Sequence, residues 1–411
     1  MLDLVRITLE SIGYSIFNIV FLFGVWVLFL INRRLNRIDI YRIIKKKSII
    51  NLMADILVQS ILVGSIVSFI VVFIGIPLYF NEFLLFLIPI SLLLSMMRMR
   101  FLDFCYGAAL ICFLSLIMNG QAFMGITFLN VETHIPSFVL LVGMLSLIKG
   151  LLIFLTKEQS VIPVLSRKDN QIVLGHIIHK SWILPIGLLI LQIGELATQG
   201  IQMPSWWPMI QYPYNQNVFY TMFPFVAFMN HNSISYTETL QNHQKKSGQI
   251  NIIFGVLLLL IGVLSVENLY VQIIGCLIMV IFPEGMHQAK VRKEKRQSPI
   301  YTHPESGLRI MEVIHGGIAD EIGMELGEVI EKVNDTFVQD IKHFLRMVKE
   351  AEGEIIIESR TIAGRLMRYE IHKSKDLTRM GVRFIPEKPL IVYSMERYNQ
   401  IGIFDFLKGK Y

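Results

Sequence analysis

Long apolar runs separated by short polar connections fill the first two thirds of the chain. Several runs are shorter than the roughly 20 residues that a straight membrane span needs. The nine runs are Ile12–Ile31, Ala54–Ile76, Phe83–Met97, Phe104–Met118, Ile135–Leu155, Trp182–Ala197, Val218–Met229, Ile250–Val266 and Leu269–Phe282. The pattern predicts a polytopic α-helical membrane domain over residues 1–285. It has nine helices, or eight if the first or the seventh run does not cross.

Basic residues follow alternate runs, and this alternation predicts the topology. Lys and Arg cluster within Arg33–Lys47, at Arg98 and Arg100, within Lys157–Lys180 and at Lys245-Lys246, whereas the intervening connections contain neither residue type. Cytoplasmic loops of membrane proteins carry an excess of Lys and Arg. We therefore expect the first residues outside the membrane and the segment after the last run in the cytoplasm.

Composition agrees with a membrane protein. Apolar residues make up 53% of the chain and charged residues 17%, against about 25% charged residues in typical soluble domains. The three cysteines, Cys105, Cys112 and Cys276, all lie in apolar runs. Such cysteines are expected to be small buried hydrophobes and not disulfide partners.

A different pattern begins after the basic segment 286–298, which predicts a juxtamembrane linker. Residues 299–373 combine short strands, turns and helices in the manner of a small α/β domain. The predicted elements are a strand Leu308–Ile314, a helical turn Ala319–Ile322 and a strand Glu328–Val333. The extension 374–411 adds predicted strands at Gly381–Ile385 and Leu390–Tyr393. Its apolar segment Ile401–Leu407 is expected to pack on the domain or touch the membrane.

The stretch from Ser306 to Asn334 resembles a bacterial PDZ domain. The matching elements are Gly307-Leu308, Gly316-Gly317-Ile318-Ala319, Ala319-Asp320-Glu321-Ile322-Gly323-Met324, Gly327-Glu328-Val329-Ile330 and Asn334-Asp335. The resemblance implies a PDZ-like, partly open β-barrel that binds an extended peptide by strand addition. It also implies that Asp340–Glu352 forms the groove helix and that Glu354–Arg360 and Arg365–His372 form the closing hairpin.

The same resemblance places the peptide groove between the strand Leu308–Ile314 and the helix Asp340–Glu352. Ser306, Gly307, Leu308 and Arg309 would then form the carboxylate-binding loop, with Leu308 and Ile310 lining the apolar pocket. The implied groove residues on the helix are His343, Phe344 and Met347. An alternative is a degenerate domain that docks only within its own chain.

Motif searches favour a protein without catalytic chemistry. An intramembrane zinc protease needs His-Glu-x-x-His, and the sequence contains no His-Glu pair. His176 and His179 have the wrong spacing for that motif. Neither a Gly-x-Ser-x-Gly elbow nor a phosphate-binding loop is present. We expect no enzymatic activity, no metal, no cofactor and no nucleic-acid partner.

The order of segments, with many spans, no catalytic motif and one C-terminal PDZ-like domain, resembles the MinJ-type proteins. The likeness rests on Phe282-Pro-Glu-Gly-Met-His287, the basic joint and Tyr301–Asn334. It implies a division-site scaffold of Gram-positive bacteria that bridges DivIVA-like polar markers to MinC- and MinD-like inhibitors, located at septum and poles. The alternative is an adaptor or inactive partner of a membrane protease or secretion complex.

Overall fold

A computed structural model describes most of the chain. The described residues are 2–38, 48–76, 78–79, 83–118, 133–155, 162–168, 171–193, 207–208, 218–351, 353–372, 380–386 and 402–408. The predicted strand Leu390–Tyr393 lies outside them.

The described residues of the N-terminal part of the chain, hereafter the membrane part, contain eight α-helices. They are α1 (Leu2–Ile16), α2 (Ile19–Ile38), α3 (Ile49–Ile74), α4 (Phe83–Met97), α5 (Phe104–Met118), α6 (Ile135–Phe154), α7 (Leu240–Leu264) and α8 (Leu269–Arg296), with a 3₁₀ turn at Met99–Leu102. Within the described residues, α3, α6, α7 and α8 are each long and apolar enough to cross a membrane, and α1 and α2 together form a fifth candidate bent by 54°. These helices point to a membrane protein.

The seventh apolar run, and the sixth as far as Ile193, are strands, so the prediction of helices there is wrong. Strand β3 (Gln171–Ile193) pairs antiparallel with β4 (Val218–Ser235) from His176 opposite Ser235 to Ile193 opposite Val218. Short strands flank β3 at its two ends: β2 (Ile162–Lys168) and β1 (Leu78–Tyr79). Most described side chains of the hairpin are buried. A buried strand and a buried helix are both continuously apolar, and periodicity alone cannot separate them.

Hydroxyl groups of neighbouring helices bond to the backbone of β3 between its short flanking strands. Ser60 and Ser68 of α3 accept from the backbone N–H groups of Ile183 and Gly187, at 3.3 and 2.9 Å. Ser15 of α1 donates to the carbonyl of Ile186 at 3.1 Å. Because buried backbone groups must find partners, these serines allow a strand pair to lie among apolar helices.

The C-terminal domain contains the predicted α/β elements. They are β5 (Tyr301–Thr302), β6 (Leu308–Val313), α9 (Ile318–Glu321), β7 (Val329–Val333), β8 (Thr336–Phe337), α10 (Ile341–Glu350), β9 (Glu354–Arg360), β10 (Leu366–His372), β11 (Val382–Phe384) and α12 (Ile403–Lys408). The main sheet has the order β10-β9-β7-β6-β11. Its core includes Phe344 and Val348 of α10. The predicted helix, hairpin and strand near Gly381 are therefore confirmed.

The C-terminal domain is docked on the membrane part. Helix α8 continues through Arg296, so most of the predicted linker is helical. Strand β5 then pairs with β3, Tyr301 opposite Leu174 and Thr302 opposite Val173. At the far end of the chain, α12 packs against α2 and α4. The apolar segment predicted to pack or touch the membrane thus packs on the membrane part itself.

Candidate peptide-binding edge

Strand β6 lies inside the sheet, which corrects the expected position of the groove. On one side it pairs with β7, through Leu308 and Arg309. On the other side it pairs antiparallel with β11, which runs opposite residues Ile310 to Val313. Strand addition requires an open edge, and β6 has none. A peptide groove directly between β6 and α10 is therefore ruled out by the position of β11.

The residues expected to form the carboxylate-binding loop serve the packing of β6. Gly307 has a φ of +82°, and a Cβ there would lie 2.4 Å from the Ile330 carbonyl oxygen. Leu308 and Ile310 belong to the apolar core. The guanidinium of Arg309 donates to the Gly327 carbonyl at 2.8 Å, and burial lowers the pKa of that group. Of the expected loop residues, only Ser306 is exposed.

The open edge belongs to β11, which ends the sheet in the described part of the chain. The N–H of Ile314 donates to Gly381 and that of Ile385 donates to Arg309, so residues 381 and 385 direct their backbone groups at β6. Backbone direction alternates along a strand. It follows that Val382 and Phe384 direct their N–H and C=O groups away from β6, where an added strand could pair with them.

Helix α10 lies beside this edge. The ring of Phe384 meets that of Phe344 edge to face, with centroids 5.1 Å apart. Met347 is half-buried against the same core. His343 is half-buried near the first turn, where its N–H donates to Asp340 at 2.6 Å and caps the helix. Of the three predicted helix residues, the structure thus brings Phe344 against β11. Phe344 and Met347 share their core with Leu308 of the predicted loop.

Sequence inspection missed β11 as the edge because two segments share one local pattern. Gly381-Val382 repeats the glycine and aliphatic pair of Gly307-Leu308, and Gly381 also has a positive φ of +72°. The Met380 carbonyl accepts from the N–H of Ala319, which fixes the start of β11 on α9. The sequence signal for this edge was the Gly381-Val382 pair at the start of a predicted strand.

The ion pair of β11 joins it to β6, away from the open edge. Arg383 is buried and its guanidinium is 3.1 Å from Glu312 on β6. This ion pair sits directly across the two strands. It holds β11 to the sheet without occupying the open edge. Comparisons of the chain with protein-family models, curated proteins and solved structures found no match.

Proposed function

We propose that this chain is a non-enzymatic membrane scaffold whose C-terminal domain recruits partner proteins by strand addition. The observation that carries the proposal is the open edge of β11 beside α10. A strand added there gains backbone hydrogen bonds from Val382 and Phe384 and an apolar neighbour in α10. Anchoring in the membrane raises the effective concentration of partners held on the same surface, so weak contacts suffice.

The test removes one outward N–H from β11. Proline is tolerated on edge strands where its nitrogen faces solvent, so Val382→Pro should leave the pairing of β11 with β6 intact. The matched control is Glu370→Pro on β10, the opposite edge of the same sheet. Glu370 stands opposite Ile356, whose N–H and C=O both bond to Asn334, so the Glu370 N–H also points outward.

The measurement is binding of the full chain in detergent to displayed random peptides with free carboxyl ends. The unaltered chain and Glu370→Pro should enrich the same peptides, and Val382→Pro should lose them. Equal enrichment by all three chains would place the binding surface elsewhere. Absence of any enriched peptide would end the proposal of strand addition.

The proposal includes a cytoplasmic position for the C-terminal domain, supported by the basic end of α8 and the positive-inside rule. A reporter active only in the cytoplasm, fused after Tyr411, should be active. The division-site role rests on the resemblance to MinJ-type proteins, with DivIVA-like and MinD-like partners. A fluorescent fusion of the full chain should collect at septum and poles. A uniform membrane signal would instead favour the protease or secretion adaptor.

A further inference from the structure

A cavity of about 330 Å³ opens where α7 and α8 reach their polar ends. Its rim carries Lys246 and Lys293, which both pair with Glu238, and the Lys246 side chain is 56% exposed. Its floor carries an ion pair of Lys149 with Asp103, with Nζ and Oδ2 2.9 Å apart and both side chains about a tenth exposed. The cavity thus leads from solvent to buried charge.

Positive charge is in excess along the lining. Five Lys or Arg side chains face three carboxylates. One of the cations, Arg100, pairs with Glu284 at 2.6 Å from just outside the lining. A positive surplus remains after that pairing. A concave, partly buried site with a surplus of one sign attracts ions of the opposite sign.

Lys290 is the cation that lacks an anion. Its Nζ contacts the Ser233 hydroxyl and lies 3.0 Å from Nε2 of His243, and within the described residues no carboxylate pairs with it. The nearest acid on its own helix, Glu294, is occupied. That carboxylate accepts from the Ser235 and Thr237 hydroxyls and from two backbone N–H groups. Lys290 is half-buried, and a charge withdrawn from water without a direct counter-ion is unfavourable. A bound anion would offset this cost.

The remaining wall of the cavity is apolar. The rings of Phe254 and Phe282 stack there with centroids 4.9 Å apart, beside Met286. Elsewhere along the same helices, α7 and α8 carry exposed apolar side chains, among them Leu260 and Ile281. A ligand that fills both halves has an anionic head and an apolar tail.

We propose that the cavity binds the headgroup of an anionic phospholipid, with its phosphate at Lys290 and its acyl chains along α7 and α8. Basic pockets between membrane helices are suited to such headgroups. Free phosphate shares the chemistry of the head but makes no use of the apolar wall.

The test uses the full chain in a zwitterionic detergent. It is titrated with dioctanoyl-phosphatidylglycerol, with dioctanoyl-phosphatidylcholine and with inorganic phosphate, and the melting temperature is followed. Phosphatidylglycerol should raise it by mass action, and phosphatidylcholine should not. Equal effects of the two lipids would overturn the proposal. Phosphate acting as strongly as phosphatidylglycerol would overturn the lipid assignment and leave a small-anion site.

Variants then locate the site. Lys290→Gln should weaken phosphatidylglycerol binding by about tenfold or more, the loss expected for one hydrogen bond to a charged group. Without lipid, this variant should melt no lower than the unaltered chain, because it removes an unpaired charge. Lys246→Gln at the exposed rim, which carries little folding risk, should weaken binding less. The control Arg292→Gln alters an exposed cation of α8 outside the lining and should change nothing. Unaltered binding in both lysine variants would contradict the proposal.

Discussion

The helix pair α6–α7 and the strand pair β3–β4 are both antiparallel and apolar, yet they are held together by different means. The helices meet through glycines. A Cβ on Gly255 would lie 2.5 Å from the Leu147 nitrogen, and one on Gly150 would lie 2.8 Å from the Gly248 carbonyl oxygen. Small residues let helix backbones approach closely where no hydrophobic force drives them together.

The strands meet through backbone hydrogen bonds, and their outer edges need polar partners from elsewhere. Ser68 supplies one for β3. Asp103 supplies one for β4, since its carboxylate accepts from the Asn230 N–H at 3.0 Å and also holds Lys149. A helix forms its backbone hydrogen bonds internally, so a helix pair needs only complementary surfaces. The outer edge of a buried strand depends on hydrogen bonds from side chains that are distant in the sequence. We therefore expect different kinds of substitution to destabilise the helix pair and the strand pair.

The largest effect is expected at Asp103. Asp103→Ala leaves the Lys149 ammonium and the Asn230 N–H without this partner, and should lower the free energy of unfolding by about 3–5 kcal/mol. The measurement is an SDS titration of the full chain in mixed micelles. Asp103→Ala combined with Lys149→Met removes the unpaired charge and should recover part of the loss. A loss below about 1 kcal/mol for the single variant would show that the ion pair is not limiting.

The second-largest loss of stability is expected when a larger side chain is placed between α6 and α7. Gly255→Leu forces a side chain against the backbone of α6, and overpacking of this kind lowers stability by about 1–3 kcal/mol, occasionally more. The control is Gly285→Leu on α8, where a Cβ would meet nothing within 4 Å. Equal losses in the two variants, measured in the same SDS titration, would contradict the role of close backbone contact.

A loss of similar or lesser size, confined to one strand edge, is expected at Ser68. Ser68→Ala leaves the Gly187 N–H without its acceptor and should lower stability by about 1–3 kcal/mol. Hydrogen exchange at Gly187 should accelerate while exchange in α6 stays unchanged. Ser65→Ala is the matched control, because within the described residues the Ser65 hydroxyl bonds to Ile61 of its own helix and to no strand. Similar exchange at Gly187 in both variants would show that the strand edge does not need this hydroxyl.

The smallest effect is expected in the water-exposed sheet of the C-terminal domain. Hydrogen bonding to Arg360 lowers the pKa of Glu331, so the pair stabilises above the ordinary glutamate pKa and its contribution is lost as the pH falls through the lowered value. Glu331→Gln should reduce stability near pH 7 by less than about 1 kcal/mol. The difference should vanish in acid. A difference that persists at low pH would exclude the ion pair as its cause.

The sequence predicted helices well where the length of an apolar run and its flanking polar residues were informative. The runs Phe83–Met97 and Phe104–Met118 match α4 and α5 to the residue. Helix α10 and the hairpin of β9 and β10 were expected from the resemblance to a PDZ domain. The structure contains both, with Asp340 capping the helix.

Spatial neighbours were harder to predict than elements. The strand near Gly381 was expected, but its pairing with β6 joins residues that are far apart in the sequence. Likewise, the apolar runs of β3 and β4 give no local sign that serines of α3 lie beside them. Hydroxyls placed seven or eight residues apart on an otherwise apolar helix, such as Ser60 and Ser68, are a weak signal until their partners are known. The cavity beside Lys290 has the same difficulty, since its cations come from separate segments.

The side chains that bond to the backbone of β3 and β4 have a particular order along the chain, and this order bears on synthesis of the protein. Ser15, Ser60, Ser68 and Asp103 all precede β3 in the chain. Synthesis therefore releases the helices that carry these groups before either long strand emerges. A nascent strand in a bilayer has no water to satisfy its backbone. The side chains that bond to the hairpin are therefore synthesised before the hairpin needs them.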